Sequence, residues 1–475
     1  MNVEEASIIP SDAKSWSLCV RRIWYDKFPP KNTEIKIEPF DQLIIEKGLE
    51  HEKNILAKLS QNRSVKTAES TEHTQLLMDE GIDVIYQAQF YDEDSGLVGN
   101  PDFLIKHESG KYQPADAKLA RSAEDKKEIK VQLGIYRRLL GTDLPGLVYL
   151  GNGKTEEIDD NAYPIVDKFL TEMGNILGRN KPPVVRYSHS KCKICPYFSI
   201  CQPEFIQKDE LTLIHGIDSR SAPHLEDKGI KNIQRLSECD TVSIPDVPYL
   251  KNFEKKQRAV LQAKSWLTGE VFKLNDIDLP EGTWIHFDIE DNPLEPSGQK
   301  HVYLWGLLKP DYDNSSFEFS WTDSMAEDHQ GWEGFLGLIE KYKFYYSDLI
   351  IAHYSNHEIT TIKQYVERYD MHDHPIVEWL LGEETPLYDM QKPVIQNLVL
   401  PLLGYGLKDI CKHENLVNFQ WENEDSGSQW SIVQFNRFQQ EKEVEMRKEL
   451  KEAILSYNRD DVLATRKLEE WLRKL

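Results

Sequence analysis

The chain of 475 residues carries 57 basic and 80 acidic side chains, which gives a formal net charge of −23. This length is enough for two to four domains, each with its own core. The acidic balance excludes a uniformly basic surface, although positive potential can still be confined to a groove. No stretch approaches the roughly 18 consecutive apolar residues of a membrane helix. Because residues 1–5 also lack the features of a signal peptide, a soluble cytoplasmic protein with no membrane partner is expected.

The first 80 residues are predicted to be mostly helical, and they contain two residues of interest. Cys19, taken alone, has the character of a small buried hydrophobic side chain. His51 follows Gly48-Leu49-Glu50 on a helical pattern. Its ring nitrogen can join carboxylates in a mixed ligand set that suits Mn²⁺ or Mg²⁺.

Three strands separated by turn residues are predicted next, over residues 84–91, 97–105 and 112–118. Alternate side chains of a strand share a face, so Asp116 and Lys118 should point the same way. The hairpin should also bring Asp102 beside Asp116. Such a group suits phosphodiester hydrolysis, because carboxylates hold a divalent metal while the lysine stabilises charge or orients the attacking water. An isolated Asp-x-Lys more often marks a solvated strand face.

A helix is predicted after the third strand, and it carries Gln132 and Tyr136 one turn apart. The ordered set of His51, Asp102, Asp116-x-Lys118 and Gln132-x-x-x-Tyr136 resembles the RecB-like branch of the PD-(D/E)XK nucleases. The resemblance implies a restriction-endonuclease-like α/β domain that cleaves DNA with Mg²⁺ or Mn²⁺. It also implies that His51, Asp102 and Asp116 are metal ligands, that Lys118 is catalytic, and that Gln132 and Tyr136 line the site.

The cysteines are unevenly distributed. Six are too few for a disulfide scaffold in a chain of this length, yet Cys192, Cys195 and Cys201 form a C-x2-C-x5-C cluster. Three thiolates at this spacing indicate zinc or an iron–sulfur cluster. Cys19 is the candidate for the fourth ligand, because the other two cysteines lie in separate predicted domains. The set resembles the iron–sulfur clasp of RecB-family nucleases, which implies a structural 4Fe-4S cluster; Zn²⁺ stays an open alternative.

Residues 208–270 are predicted to form a small helical connector. Residues 213–225 look like a helix-hairpin-helix, a module whose amides and helix N-terminus can bind a backbone phosphate. The second glycine expected in the hairpin is missing, and Asp218 would face the phosphate. A plain helical linker is therefore an equal alternative.

A second group of acids follows Pro280. Residues 284–290 are apolar and β-prone, and Asp288 and Glu290 within them share a face. Strands are predicted next at 302–308, 317–321 and 349–354, with Glu358 at the start of the following helix. Near the C-terminus, Tyr457 and Asp461 lie four residues apart on an amphipathic helix and face together. Buried like charges require a neutralising cation, so this pattern predicts a metal site.

Asp288, Glu290, Glu358 and Asp461, with Tyr457 placed to orient a water, resemble the DEDD exonucleases of the RNase H-like fold, in particular the YprB-type branch. The resemblance implies a two-metal site held by the four carboxylates. Glu358 is a departure, because these enzymes usually carry aspartate at that position. Asp389 is a spare ligand candidate or, alternatively, a helix cap.

Together these patterns predict an α/β protein of three domains. They are a RecB-like PD-(D/E)XK nuclease domain with the cysteine clasp at residues 1–207, the helix-hairpin-helix-like connector at 208–270, and an RNase H-like, 3'-5' exonuclease-like domain at 271–475. The combined resemblance implies a metal-dependent nuclease, an exonuclease acting on single-stranded DNA ends in repair, recombination or defence against foreign DNA.

Two further expectations concern partners and alternatives. No P-loop motif is present, and some relatives are joined to superfamily 1 helicases, so such a helicase is an expected partner. The alternative function is a nucleic-acid-binding scaffold for a helicase, with one or both nuclease sites inactive. An RNA-directed C-terminal domain also stays open, because metal-binding carboxylates do not read the 2′-hydroxyl.

Overall fold

The computed structural model describes residues 8–30, 37–93, 95–310, 316–422 and 429–475. The chain divides into two compact units. The N-terminal unit comprises Met1–Val185, Ser190–Cys201 and Pro296–Gln299, and the C-terminal unit comprises Arg186–His189, Gln202–Glu295 and Lys300–Leu475. The predicted connector, residues 208–270, is part of the second unit. Within the described ranges, no helix is both long and apolar enough to cross a membrane.

The N-terminal unit begins with helices, as predicted, and continues as a mixture of helices and strands. Its helices are α1 (Asp12–Leu18), α2 (Val20–Lys27), α3 (Pro39–Leu59), α4 (Thr71–Asp79), α5 (Lys127–Leu140) and α6 (Tyr163–Leu177). Its strands are β1 (Val65–Thr67), β2 (Val84–Tyr86), β3 (Phe90–Asp92), β4 (Leu97–Gly99), β5 (Phe103–Lys106), β6 (Tyr112–Lys118), β7 (Gly146–Leu150) and β8 (Thr155–Ile158). The short helices α7 (His189–Cys192) and α8 (Phe198–Gln207) include residues of both units.

The six-stranded sheet of the N-terminal unit has the order β1-β2-β5-β6-β7-β8. Strands β5 and β6 are antiparallel, with Phe103 opposite Ala115, whereas β6 and β7 are parallel, with Asp116 opposite Val148. Ala115 packs with Phe103 in a core cluster that includes Ile55 of α3. Because side chains alternate along a strand, Asp116 lies on the other face, with Val148 and residues of α5.

The first two of the three strands predicted in this unit are wrong in extent, and the third is confirmed. Strand β2 ends at Tyr86 because Gln87 takes a positive φ of 55°, which extended strands do not allow. Pro101 has no amide hydrogen and lies between β4 and β5. The residues between these two breaks form a separate hairpin of β3 and β4. Despite the breaks, the amide of Gln87 donates to the carbonyl of Asp102 at 2.9 Å.

The C-terminal unit consists of helices around a five-stranded sheet. Its helices are α9 (Ser221–Asp227), α10 (Ile233–Ser237), α11 (Phe253–Thr268), α12 (Asp328–Tyr345), α13 (His357–Tyr369), α14 (Pro375–Leu381), α15 (Gln391–Asn397), α16 (Leu407–Cys411), α17 (Trp430–Gln440) and α18 (Val444–Leu472). Its strands are β9 (Phe272–Lys273), β10 (Thr283–Asn292), β11 (His301–Leu308), β12 (Phe317–Trp321), β13 (Leu349–His353), β14 (Leu387–Asp389) and β15 (Leu398–Val399).

The start of the C-terminal unit differs from a helix-hairpin-helix. Its first predicted helix is a single 3₁₀ turn, Leu211–Leu213. The Oδ1 atom of Asp218 accepts hydrogen bonds from the amides of Arg220 and Ser221, both at 3.0 Å, at the start of α9. Those amides are the groups that would bind a phosphate, and the carboxylate already occupies them. The helix-hairpin-helix and the plain helical linker therefore stay alternatives for this segment.

Strand β10 lies at the centre of the five-stranded sheet, whose order is β12-β11-β10-β13-β14. It is antiparallel to β11 and parallel to β13, and the four strands predicted here are confirmed. Ile285 and Phe287 pack into a core cluster with Trp332 of α12, whereas Trp284 belongs to the cluster with Leu468 of α18. Because side chains alternate, Asp288 and Glu290 point toward α18, as Trp284 does.

Helix α18 is 29 residues long, and it also contacts β10 at a second position, through Glu469. Nε2 of His286 lies 3.0 Å from Oε2 of Glu469, and Nε of Arg473 donates to Oε1 of Glu469 at 2.6 Å. Glu469 is two turns beyond Asp461, about 12 Å along the helix axis. The helix is thereby fixed to the strand well away from the acids that it carries.

Candidate metal centres

Asp102, Asp116 and Lys118 form one connected group in the N-terminal unit. The amide of Asp102 donates to Oδ1 of Asp116 at 3.1 Å, and the amide of Ala117 donates to Oδ2 of Asp102 at 2.8 Å. Nζ of Lys118 lies 2.9 Å from Oδ2 of Asp116. The alternation of side chains along β6 and the pairing of β5 with β6 bring these three residues together, as expected from the sequence.

The electrostatics of this group are those of a buried like-charge pair with one cation. Burial raises the pKa of Asp102 to about 8, and the negative charge of Asp116 contributes to the increase. Burial lowers the pKa of Lys118, but the two carboxylates outweigh this effect and the net pKa is raised. Lys118 is therefore charged at neutral pH. A divalent cation between the aspartates would relieve their repulsion.

The other predicted residues of this site lie at different distances from the group. Tyr136 donates to the carbonyl of Asn100 at 3.2 Å, and burial, followed by the charges of the two aspartates, raises its pKa well above the usual range. Gln132 is half-buried one turn earlier on α5. Nε2 of His51 lies 3.0 Å from the carbonyl oxygen of Tyr149. The His51 ring therefore contacts the backbone of β7, and the structure does not bring it into the aspartate group.

Glu52 is a residue of this site that the sequence did not reveal. Its Oε1 accepts from the Tyr86 hydroxyl at 2.8 Å and from Nε2 of Gln87 at 2.5 Å. Its negative charge contributes to the raised pKa of Asp102. Consecutive helix residues point about 100° apart. The sequence of α3 alone therefore does not show whether this residue or the histidine before it faces the aspartates.

Three carboxylates converge in the C-terminal unit, where Asp288 and Glu290 of β10 meet Asp461 of α18. One oxygen of each lies within 4.8 Å of the other two. Across the described ranges, this is the only group of three His, Cys, Asp or Glu side chains whose ligand atoms are that close. We refer to these three residues as the acidic cluster. Oxygen ligands of this kind are those that Mg²⁺ and Mn²⁺ prefer.

The acidic cluster holds more negative charge than its surroundings balance. Burial raises the pKa of Asp288 well above its usual range, and the charges of Asp461 and Glu290 raise it further. Burial likewise raises the pKa of Glu290 to about 8 and that of Asp461 to about 6. Like charges buried together are stabilised by a cation. The donor set and the repulsion thus both fit a divalent metal ion.

Neutral side chains fix the two strand acids, and the sequence did not indicate them. Nδ2 of Asn458 donates to Oδ2 of Asp288 at 2.7 Å and to Oε1 of Glu290 at 3.3 Å. The hydroxyl of Ser431 on α17 donates to Oε2 of Glu290. Asn458 lies three residues before Asp461 on α18, a spacing that places both side chains on neighbouring positions of one helix face.

Two other predicted residues lie outside the acidic cluster. Nδ1 of the buried His353 lies 3.3 Å from Oε2 of Glu358, and the charge of Glu358 contributes to the raised pKa of Asp288. Glu358 is thus near Asp288 but not within the close group of three. Oδ1 of Asp389 accepts hydrogen bonds from the amides of Ser355 and Gln391, both at 3.0 Å. These contacts correspond to the helix-cap alternative given for Asp389 above.

Tyr457 and Asp461 face together on α18, as predicted. Trp421 donates through Nε1 to Oδ1 of Asp461 at 2.6 Å, and the Tyr457 ring packs against Trp430 at 5.4 Å between centroids. Burial and the charge of Asp461 raise the pKa of Tyr457. Its hydroxyl therefore keeps its proton at neutral pH.

The four predicted cluster cysteines all belong to the N-terminal unit. Burial raises the pKa of both Cys195 and Cys201, and the charge of Cys19 contributes in each case. Cys192 ends α7. No three of these sulfur atoms lie within 4.8 Å of one another, because the acidic cluster is the only described group with that spacing.

Comparisons with known proteins bear on the C-terminal part. Residues 285–473 match a family model described as the RNase_H superfamily. This part of the chain is therefore an RNase H-like domain, which confirms that element of the prediction, and members of the superfamily are typically metal-dependent nucleases. No curated protein matches the chain. A solved structure titled "Crystal structure of SSO0001" is 18% identical, and the match covers 42% of this chain and 87% of that chain with a TM-score of 0.26.

Proposed function

We propose that this protein is a metal-dependent nuclease with two hydrolytic sites, which cleaves DNA phosphodiester bonds at single-stranded ends. The observation that carries the proposal is the acidic cluster, in which three carboxylates that are buried or partly buried converge within an RNase H-like domain. The preference for DNA and for ends comes from the resemblance of the sequence motifs to RecB-like and DEDD nucleases.

At the C-terminal site, Asp288, Glu290 and Asp461 are the residues that would hold Mg²⁺ or Mn²⁺. The bound ion would activate water and neutralise charge on the phosphate. Asn458 keeps the two strand acids in their orientation through its amide. Tyr457 orients the attacking water, whose oxygen forms a bond to phosphorus while the bond from phosphorus to the leaving sugar oxygen breaks. The attacking water releases a proton to solvent, and the released sugar oxygen takes one up from solvent.

At the N-terminal site, Asp102 and Asp116 would hold the metal, and Lys118 stabilises the negative charge that develops on the phosphate. The 2.9 Å contact of Lys118 with Asp116 places the ammonium beside a ligand oxygen, which supports this role. Gln132 and Tyr136 line the same side of the sheet from α5. Glu52 is an additional acid for this site, because its charge acts on Asp102.

The four cysteines Cys19, Cys192, Cys195 and Cys201 are the residues that would hold the 4Fe-4S cluster. A zinc ion with Zn–S bonds of 2.3 Å holds its sulfurs about 3.8 Å apart. Zn²⁺ stays the alternative occupant of these four thiolates. The N-terminal helices also contact the cysteine segment directly, because the hydroxyl of Tyr197 donates to Asp26 at 2.8 Å. The proposed role is structural, with a superfamily 1 helicase as the partner that supplies ATP-driven work.

The experiment that tests the proposal separates the two sites by substitution in the full chain. In the presence of Mn²⁺, we expect D116N to abolish cleavage at the N-terminal site and D288N to abolish cleavage at the C-terminal site. We expect the double variant to be inactive on labelled single-stranded DNA, duplex DNA and single-stranded RNA. The exposed acids Asp79 and Asp276 provide matched controls, D79N and D276N, which should retain full activity.

Each result has a clear reading. Loss of activity in the site variants but not in the controls supports catalysis at the carboxylates. Full activity in the double variant would show that cleavage occurs elsewhere. Tight binding of single-stranded DNA without any cleavage in Mg²⁺ or Mn²⁺ would instead support the alternative function, a nucleic-acid-binding scaffold for a helicase.

A further inference from the structure

Lys408 brings a positive charge to the edge of the acidic cluster. Its Nζ donates to the hydroxyl of Tyr457 at 2.6 Å and lies 3.8 Å from Oδ1 of Asp461. The Lys408 side chain is 25% exposed, so it is partly shielded from water. A charge in such a setting acts more strongly on its neighbours than a solvated surface lysine does.

The position of the ammonium is fixed by the packing around it. The charge lies 4.3 Å from the ring centre of Tyr457 and 5.6 Å from that of Trp421, within the range of cation–π attraction. Short helix α16, which carries Lys408, is anchored by the buried Ile410 and by Cys411, whose Sγ contacts the carbonyl of Ala464 on α18. The packing of α16 therefore fixes the backbone position from which the Lys408 side chain reaches the acidic cluster.

The charges of the site favour one divalent ion together with this lysine. When all three carboxylates of the acidic cluster are ionised around a bound cation, their three negative charges are neutralised by one divalent ion and one ammonium. Glu358, the fourth carboxylate of the expected two-metal arrangement, lies outside the close group and faces His353. Trp421 and Lys408 both approach Oδ1 of Asp461, which leaves Oδ2 for an ion.

We propose that Lys408 supplies the second positive charge of the C-terminal site, so that this site binds one divalent ion instead of two. The inference rests on the proposed function and specifies its metal requirement. Lys408 acts by electrostatics alone: it orients the Tyr457 hydroxyl and stabilises the negative phosphate of the substrate. No bond to Lys408 forms or breaks during hydrolysis.

Manganese binding to the full chain tests the inference. The D116N background removes binding at the N-terminal site, and the D116N/D288N variant gives the residual binding to subtract. By titration calorimetry, we expect one Mn²⁺ that depends on Asp288. K408M removes a repulsive charge without removing a metal ligand. It should therefore increase the affinity for this Mn²⁺ by at least about tenfold. K408R, which keeps the charge, should change the affinity by less than about twofold, and K408M should lower cleavage at least about 50-fold.

The alternatives give different results. If Lys408 only supports the local structure, K408M weakens Mn²⁺ binding and lowers the melting temperature, and the inference is overturned. Two Asp288-dependent Mn²⁺ ions in the chain that retains Lys408 would also overturn it, while leaving the proposed nuclease function intact. Mn²⁺ binding that does not change in D288N would instead contradict the proposed function itself.

Discussion

Gly306 and Asn458 lie in such close contact that a methyl group added to Gly306 would overlap with Oδ1 of Asn458. Gly306 is the residue of β11 opposite Asp288, so the missing side chain leaves the space in which Asn458 reaches Asp288 and Glu290. We expect G306A to displace Asn458, lower the free energy of unfolding by about 1–3 kcal/mol, and weaken Mn²⁺ binding at the acidic cluster.

The control for this prediction is Gly337, which has open space around it on the exposed side of α12. G337A should stabilise the helix by about 0.5–1 kcal/mol and leave Mn²⁺ binding unchanged. Thermal melting with and without Mn²⁺ measures both effects. Equal Mn²⁺ stabilisation of G306A and the unmodified chain would show that Asn458 does not organise the acids.

Glu52 and His51 give a paired test at the N-terminal site. Because Glu52 bonds to Gln87 and acts on Asp102, while His51 contacts the backbone of β7, E52Q should weaken Mn²⁺ binding about 10- to 100-fold. H51A should have less than about a fivefold effect. Calorimetry in the D288N background isolates this site. A larger loss of Mn²⁺ affinity in H51A than in E52Q would indicate that His51 is the metal ligand.

The cysteine clasp predicts a selective loss of iron. C201S should remove iron and acid-labile sulfide from anaerobically purified protein, whereas C239S should not, because Cys239 lies in the C-terminal unit. The cluster would close the chain between Cys19 and Cys192, so its loss should destabilise the N-terminal unit by up to about 5 kcal/mol. Stoichiometric zinc without iron in the unmodified protein would decide for the alternative.

Glu318 predicts a pH-dependent contribution to stability in the C-terminal unit. Burial raises its pKa, but Lys341, the Tyr342 hydroxyl and Lys309 lower it more, so the pKa falls from 4.5 to about 2. A carboxyl whose pKa is depressed by folding stabilises the protein above the unfolded pKa, and the contribution is lost as pH falls toward the folded pKa. Because solvent screens the exposed lysine partners, E318Q should cost about 1 kcal/mol at pH 7. Its difference from the unmodified chain should shrink steadily below about pH 4.5.

Denaturant unfolding between pH 3 and pH 7 measures this difference. E340Q, on the exposed side of the neighbouring helix α12, is the matched control and should show no pH-dependent difference. A cost of E318Q that is the same at both ends of the range would rule out the linkage.

Local periodicity was enough to predict the parts of both sites that lie on single elements. The two-residue period placed Asp116 with Lys118 and Asp288 with Glu290, and the helical period placed Tyr457 with Asp461. Contacts between distant segments could not be read in this way. Trp421 and Ser431 reach the acidic cluster from segments whose own patterns carry no sign of it.

Backbone conformation, helix rotation and helix capping set features that local periodicity does not determine. The positive φ of Gln87 ended a strand that the apolar pattern would have continued. On α3, a rotation of one residue separates Glu52 from His51, and the packing of the helix on the sheet sets that rotation. Asp218 is a third case, because its carboxylate accepts a hydrogen bond from the amide of Ser221 at the start of α9.

The salt bridge of Glu469 with Arg473 and its contact with His286 fix α18 at a point remote from the chemistry. The same helix carries Tyr457, Asn458 and Asp461. If the contact at Glu469 were lost and α18 tilted, all three side chains would therefore move relative to β10 together. Loss of activity from changes at Glu469 would then be a failure of alignment in a site whose every reacting group is still present.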